Sequence, residues 1–600
     1  MVPAIFSLRR LFLASLLLLP PHSRRQVFQI LFRSISSGQR SNAGLEWHVL
    51  LQPDRISSAD QFRQLLCRST TSGLSFQNPH LRIWNSLLYF LSSGPAPSLC
   101  LTLFDVIRSH RVAVDGYTLT SAFKATCRLE LHAMGTELQS LAIRLGLECD
   151  TFVFNSLINM YFTCGFICEA RRVFDLTPSS ARDLVSWNTM VSGYFQNDLY
   201  EESLRIFWKM AENSIAMDSS TLVGALSSCA KIGSLNLGKK VHLLVITAGF
   251  GIDVYLGSCI INMYAKCGAL DDARRLFDRM PDKNSVCWTA MISGNANSNQ
   301  FGKAVELFRE MLSVGVKPDD ASISSVLSSC AQLGALNQGM YIHSYCDVNG
   351  IGMGLTVKNA LIDMYSKCGD IERALFIFHE LDKPDVFSWT TVILGLAMNG
   401  SSFQALEFFS NMEQSRAVVP NEITFLGVLT ACSHGGLVWE GHHYFDQMRS
   451  VYKLLPRLEH YGCMVDLLGR ANLLREAEKF IRKMPIEPDA VIWRSLLFAC
   501  RVNEDVRMAE FAAQRIIELE PKKCGGHVML SNVYAASLRW SDASRVRRKM
   551  NNWNIQKLPG CSFIELNGVI YEFLAANTLH YQEESMNEIL NLISRHSSDY

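Results

Sequence analysis

The chain has 600 residues, 48% of them hydrophobic, and its 57 Lys plus Arg nearly balance its 56 Asp plus Glu, leaving a net charge of +1. That much apolar surface excludes a disordered chain, and the charge balance excludes nucleic-acid binding by bulk electrostatics, which needs a surplus of cations to displace counterions. The 18 cysteines contain no CxxC pair and are too scattered for a zinc site or a disulfide scaffold; they are expected to be reduced, buried, small apolar residues.

Residues 1–45 contain Arg9, Arg10, Arg24, Arg25, Arg33 and Arg40, several serines, and no acid before Glu46. This is the composition of an organelle transit peptide, for a mitochondrion first and a plastid second. The apolar run Leu11 to Leu19 alternatively fits the central region of a secretory signal. Residues 46–80 are a linker or a degenerate first repeat. No later segment reaches the roughly 18 uninterrupted apolar residues of a membrane span, so no membrane partner is expected.

From residue 81 the chain repeats itself. Trp84, Trp187, Trp288 and Trp389 are 103, 101 and 101 residues apart, and Trp493 follows 104 later. "NMYFTCG" from Asn159, "NMYAKCG" from Asn262 and "DMYSKCG" from Asp363 keep the same period, as do "LSSCAKIGSLNLGKKVH" from Leu226 and "LSSCAQLGALNQGMYIH" from Leu327. Each unit divides into pieces of about 35, 35 and 31 residues, each with two apolar-periodic runs joined by a short turn. In one such run Ala304, Leu307, Phe308 and Met311 fall at i, i+3, i+4 and i+7 and form a single helical stripe. A lone hairpin cannot bury that stripe, so the expectation is an all-α solenoid of stacked helical hairpins, with the recurring Trp and Cys in its core.

Long, long, short triplets differ from the uniform repeats of tetratricopeptide scaffolds. Here the sequence resembles the plant pentatricopeptide repeat proteins whose P, L and S repeats alternate. "NMYAKCGALDDARRLFDRMPDKN" (Asn262 to Asn284) is similar to an S repeat and "LSSCAQLGALNQGMYIHSY" (Leu327 to Tyr345) to an L repeat. The resemblance implies a right-handed superhelical array over 81–489. Its P repeats are 81–115, 184–218, 285–319 and 386–421. L repeats begin at 116, 219, 320 and 422, and S repeats span 151–183, 254–284, 355–385 and 458–489, making twelve in all.

The resemblance also implies a site. In this family the fifth residue of a repeat and its last residue together face one RNA base, a one-base-per-repeat code. An Asn amide offers donor and acceptor to a pyrimidine edge, whereas a Thr or Ser hydroxyl leaves room for a purine. Asn85 with Asp115, Asn155 with Asp183, Asn188 with Asp218 and Asn359 with Asp385 are then expected to select U. Ser258 with Asn284 and Thr390 with Asn421 are expected to select A, and Thr289 with Asp319 to select G. Among the L repeats only Thr120 with Asp150 looks like such a pair, and Gly462 with Asp489 is left unread. Written 5′ to 3′, the expected target is U-N-U-U-N-A-G-N-U-A-N-N. Second residues of repeats, including Val185, Val286 and Phe387, are expected to separate neighbouring bases, with Arg82 in that place in the first repeat.

Beyond Asp489 two degenerate hairpins at 490–557 resemble the family's E extension. "PGCSFIELNGVIYEFLAANTLH" from Pro559 then alternates on both sides of Asn567-Gly568, a strong strand–turn–strand signal. Residues 558–600 resemble the E+ segment and a terminal helix. The HxE and later CxxC of a deaminase of the DYW type, which would hold zinc and move protons, do not occur in the sequence. The implied role is therefore site recognition for C-to-U editing of organelle transcripts, with the deaminase supplied in trans, no catalytic residue and no cofactor. RNA stabilisation or splicing without editing, and a protein-binding scaffold, are the alternatives.

Overall fold

The computed structural model describes residues 97–553 apart from 110–112, 179–180 and 522, together with 85, 88–89, 91–94, 561–566 and 569–574. The leader at 1–45, the segment 46–80, Arg82, Trp84 and the residues beyond 574 lie outside the described residues. The chain divides into two compact units, 1–280 and 281–600, and each is built the same way.

The hairpin is the unit of construction. A P repeat is Leu184–Gln196 followed by Tyr200–Glu212, the next L repeat is Ser219–Ile232 followed by Leu235–Thr247, and the next S repeat is Val254–Lys266 followed by Leu270–Arg279. The S repeats are short because their second helices lose a turn. Ile167–Leu176 and Leu270–Arg279 have 10 residues, and Ile371–His379 and Leu474–Arg482 have 9. L repeats instead carry first helices of 14 residues, at Gly116–Leu129, Ser219–Ile232, Asp320–Leu333 and Glu422–Gly435. Three of these end on a left-handed glycine, Gly233, Gly334 and Gly436, a conformation open to Gly without a Cβ clash.

Within each unit successive first helices pack on one another, and each second helix packs on its own partner and on the next first helix. The periodic tryptophans lie in that seam. Trp187 meets Phe174 of the preceding S repeat edge to face at 4.9 Å, and Trp389 meets Phe378 in the same way at 4.8 Å. Trp187, Trp288 and Trp493 are all buried, as a core role requires. The recurring Cys127, Cys229, Cys330, Cys432 and Cys500 are also buried, and burial pushes the thiols of Cys127, Cys229, Cys432 and Cys500 up to about 12. They are inert packing groups. Cys149 and Cys168 are exposed and Cys164, Cys259, Cys267, Cys368, Cys463 and Cys524 only half-buried, so the expectation of burial holds for just part of the set.

Two polar contacts repeat with the triplet. The C-cap amides of Asn197, Asn399 and Asn503 reach back to the carbonyls of Phe162, Ser366 and Gly469, at 3.1, 2.8 and 3.1 Å. His242 and His343 in L repeats meet the hydroxyls of Tyr264 and Tyr365 in the following "MY" motifs at 2.9 and 3.0 Å. Each satisfies a group that helix stacking would strand.

The first C-terminal hairpin is Ala490–Val502 with Val506–Leu519, and the second is Gly525–Ala536 with Trp540–Asn552. Strands β1 (Cys561–Leu566) and β2 (Val569–Leu574) then pair antiparallel with Leu566 opposite Val569, the register expected around Asn567-Gly568. Among the described residues no helix is long and apolar enough to cross a membrane.

Candidate nucleic-acid interface

The last residue of each repeat is the N-cap of the next first helix. Asp115, Asp183, Asp218, Asp319, Asp385 and Asn421 each accept the N3 backbone N–H, and each is matched by an N3 hydroxyl on its own N–H, from Thr118, Ser186, Thr221, Ser322, Ser388 and Thr424. This reciprocal cap is what a short polar residue at a helix start provides. Only one carboxylate oxygen does most of the capping, which leaves the group able to reach the neighbouring repeat.

It reaches the residue five places after the preceding N-cap. Asn188 Nδ2 donates to both oxygens of Asp218 at 3.1 and 3.0 Å, and Asn85 Nδ2 donates to both of Asp115 at 3.0 Å. Asn155 donates to Asp183 at 3.2 Å, Asn359 to Asp385 at 3.4 Å, and the Thr289 hydroxyl to Asp319 at 3.0 Å. An ionised carboxylate only accepts, so the amide nitrogen must face it and the orientation of the amide is fixed. Burial would raise the carboxyls of Asp183, Asp218 and Asp385, but hydrogen bonds from the N3 residue and from the paired Asn outweigh it and hold all three below the usual carboxylate range.

The pairs fall into two grades. In the pairs of the P repeats the Thr118 and Thr221 hydroxyls lie 2.8 and 2.6 Å from Asn85 Oδ1 and Asn188 Oδ1 as well as 2.7 and 2.8 Å from the Asp115 and Asp218 carboxylates, so both ends of each amide have a partner. In the pairs of the S repeats the hydroxyls of Ser186 and Ser388 reach only the aspartates, and the buried Oδ1 atoms of Asn155 and Asn359 have no partner. Thr390 touches Thr424 at 2.8 Å rather than Asn421 itself, with Thr424 bonded to Asn421 at 3.0 Å.

The L-repeat pair differs. The Thr120 hydroxyl turns to the Tyr117 carbonyl of its own helix, while Asp150 caps through Phe152 and Val153, each at 3.0 Å. Ser258 bonds the Val254 carbonyl and Asn284 caps Cys287. At 457 an Arg replaces the capping acid and is ion-paired with Glu422; five places on, Gly462 has open space around the position of a Cβ.

Within each unit, exposed apolar side chains stand beside the pairs, two places after many of the N-caps. Val185, Val286 and Phe387 are 55%, 52% and 63% exposed, and the structure adds Tyr117, Phe152, Tyr255, Ile423 and Val491. Tyr117 and Phe152 stand stacked at 6.3 Å. The spacing from the capping residue was the signal for the added five. Flat or branched apolar groups repeated beside fixed amide and hydroxyl donors form a surface on which planar heterocycles can stack and be hydrogen-bonded. Among the described residues no cluster of His, Cys, Asp and Glu can hold a metal ion.

Comparison with known proteins agrees with this architecture. The PPR repeat model matches residues 185–215, 258–285, 357–383, 387–416 and 459–487, the PPR repeat family model matches 283–332, and the E motif model matches 503–565. A mitochondrial pentatricopeptide repeat-containing protein of Arabidopsis thaliana is 35% identical over 87% of this chain and 81% of its own length. A chloroplastic one from the same plant is 37% identical over 84% and 72%. Among solved structures, the crystal structure of the maize pentatricopeptide repeat protein PPR10 has a TM-score of 0.50 at 17% identity, covering 84% of this chain and 78% of that one. Its complex with an 18-nt psaJ RNA element gives 0.52 at 16% identity, covering 88% and 92%. The chain belongs to the pentatricopeptide repeat family and carries an E motif at its C-terminal end.

Proposed function

We propose that the protein recognises one or a few single-stranded sites in organelle RNA and designates a nearby cytidine for conversion to uridine, the deaminase coming from another protein. The observation that carries the RNA part is the lock between the fifth-place residue of one repeat and the capping residue of the next. A merely structural cap needs no amide from the previous repeat, whereas a base reader needs its donors held in one orientation before the ligand arrives. The family's RNA-binding relative PPR10 supports the same reading through its complex. The E motif at the end of the array favours editing over simple coverage of a transcript, because coverage gives no use for a specialised end. In this reading Asn85/Asp115, Asn155/Asp183, Asn188/Asp218 and Asn359/Asp385 select U, Ser258/Asn284 and Thr390/Asn421 select A, Thr289/Asp319 selects G, and Thr120 with Asp150 contributes contact without the lock. The leader directs the chain to a mitochondrion, with a plastid as the second choice.

Deleting Pro559 to Tyr600 tests the division of labour. Editing should be lost while affinity for an RNA carrying U-N-U-U-N-A-G-N-U-A stays within about twofold. Editing that survives the deletion would favour a role in transcript stability or splicing.

A further inference from the structure

The repeat pattern breaks at 458–489, where the second place is Glu459 and the fifth place is Gly462, and then resumes. The hairpin 490–519 begins after Asp489, which caps it through Val491 and Ile492 at 3.0 Å each. Two places after that cap, Val491 is 55% exposed, the same as Val185. Five places after it stands Arg494, where other repeats carry Asn or Thr. Its guanidinium is tied across the hairpin to Glu520 at 3.3 and 3.5 Å, in the manner of Asn359 with Asp385. Trp493 and Asn503 also keep the core positions of Trp187 and Asn197.

We infer that this hairpin is a further RNA-contacting element, with Val491 stacking on, and Arg494 donating to, the nucleotide immediately 3′ of the last one facing the repeats. The inference rests on the RNA-binding reading above. Glu520 orients Arg494 as the aspartates orient the amides, and Lys523, also on Glu520 at 2.8 Å, shares the acid's charge. The Arg494 Nε is used on the Ala490 carbonyl at 3.0 Å and Nη2 on Glu520, so Nη1 is the group turned to a ligand. A guanidinium only donates, so its counterpart is an acceptor: the O6 and N7 edge of a guanine or a backbone phosphate.

The test uses the full chain and two RNAs, the twelve-nucleotide target and the same RNA extended by one 3′ nucleotide as G, A, C, U or an abasic unit. The extension should tighten binding on the order of tenfold, the scale of a hydrogen bond from a charged group. Arg494→Gln should remove that gain while leaving the shorter RNA bound as before. Exposed Val491→Glu, which leaves the core untouched, should remove it too by repulsion. A gain confined to G assigns the contact to the base edge, and a gain kept by the abasic unit assigns it to phosphate. Equal affinity for the short and extended RNAs, or variants that weaken both alike, would overturn the inference. Failure of the wild-type chain to bind the twelve-nucleotide RNA at all would instead overturn the RNA-binding reading beneath it.

Discussion

In the proposed reading, cap and reader are one residue. Asp218 closes the helix Ser219–Ile232 and also holds Asn188 from behind, so the local preference of Asp for a helix start and its place in a base-reading pair do not compete. This gives two predictions. Asn188→Thr keeps a donor to Asp218 but shortens the side chain, and preference at that one position should move from U toward a purine, by an amount on the order of 1–3 kcal/mol, in binding to four RNAs that differ only there. The same change at Asn359 should cost less, since that amide is held by one bond at 3.4 Å. The second prediction concerns pH. Asp183, Asp218 and Asp385 titrate below their usual range when folded, so the unfolded chain takes up protons first as pH falls. Their stabilisation is complete above the ordinary aspartate range near about 4 and is lost as pH drops through the depressed folded values. The melting temperature should hold from about pH 7 to about 5 and fall below about 4, and replacing all three by Asn, which caps without titrating, should flatten that fall.

Helix packing separates glycines that look alike in sequence. A Cβ on Gly193 would stand 2.2 Å from the Phe162 ring, which is 1% exposed and has nowhere to go. Gly193→Ala should therefore destabilise by about 1–3 kcal/mol through overpacking, outweighing the roughly 1 kcal/mol that Ala gains in a helix interior. Gly462→Ala meets nothing within 4 Å, so only the propensity term remains, and urea unfolding should show a slight gain with RNA affinity unchanged. Element lengths and boundaries were legible because the apolar period and the capping residues repeat together. Asp150 shows where legibility stops: its residue type matched the code, but Thr120 bonds back to Tyr117, a rotamer choice that spacing does not reveal. Arg494 is hidden in the sequence for the opposite reason. Its partner Glu520 sits at the end of the hairpin's second helix and is not the N-cap of the next one, so the cap-based register did not point to it.

For the whole molecule, a solenoid gains its stability from neighbour contacts, and if it binds RNA as proposed, its near-neutral charge leaves base contacts to supply most of the affinity. Under the proposed function such a protein finds one sequence among many transcripts, and its E motif gives that address a consequence. The direct measurement is the C-to-U status of every mitochondrial and plastid transcript with and without this protein. The account predicts loss of editing at one or a few cytidines lying just 3′ of U-N-U-U-N-A-G-N-U-A, with all other sites unaffected. Editing unchanged at every site in both organelles would contradict it.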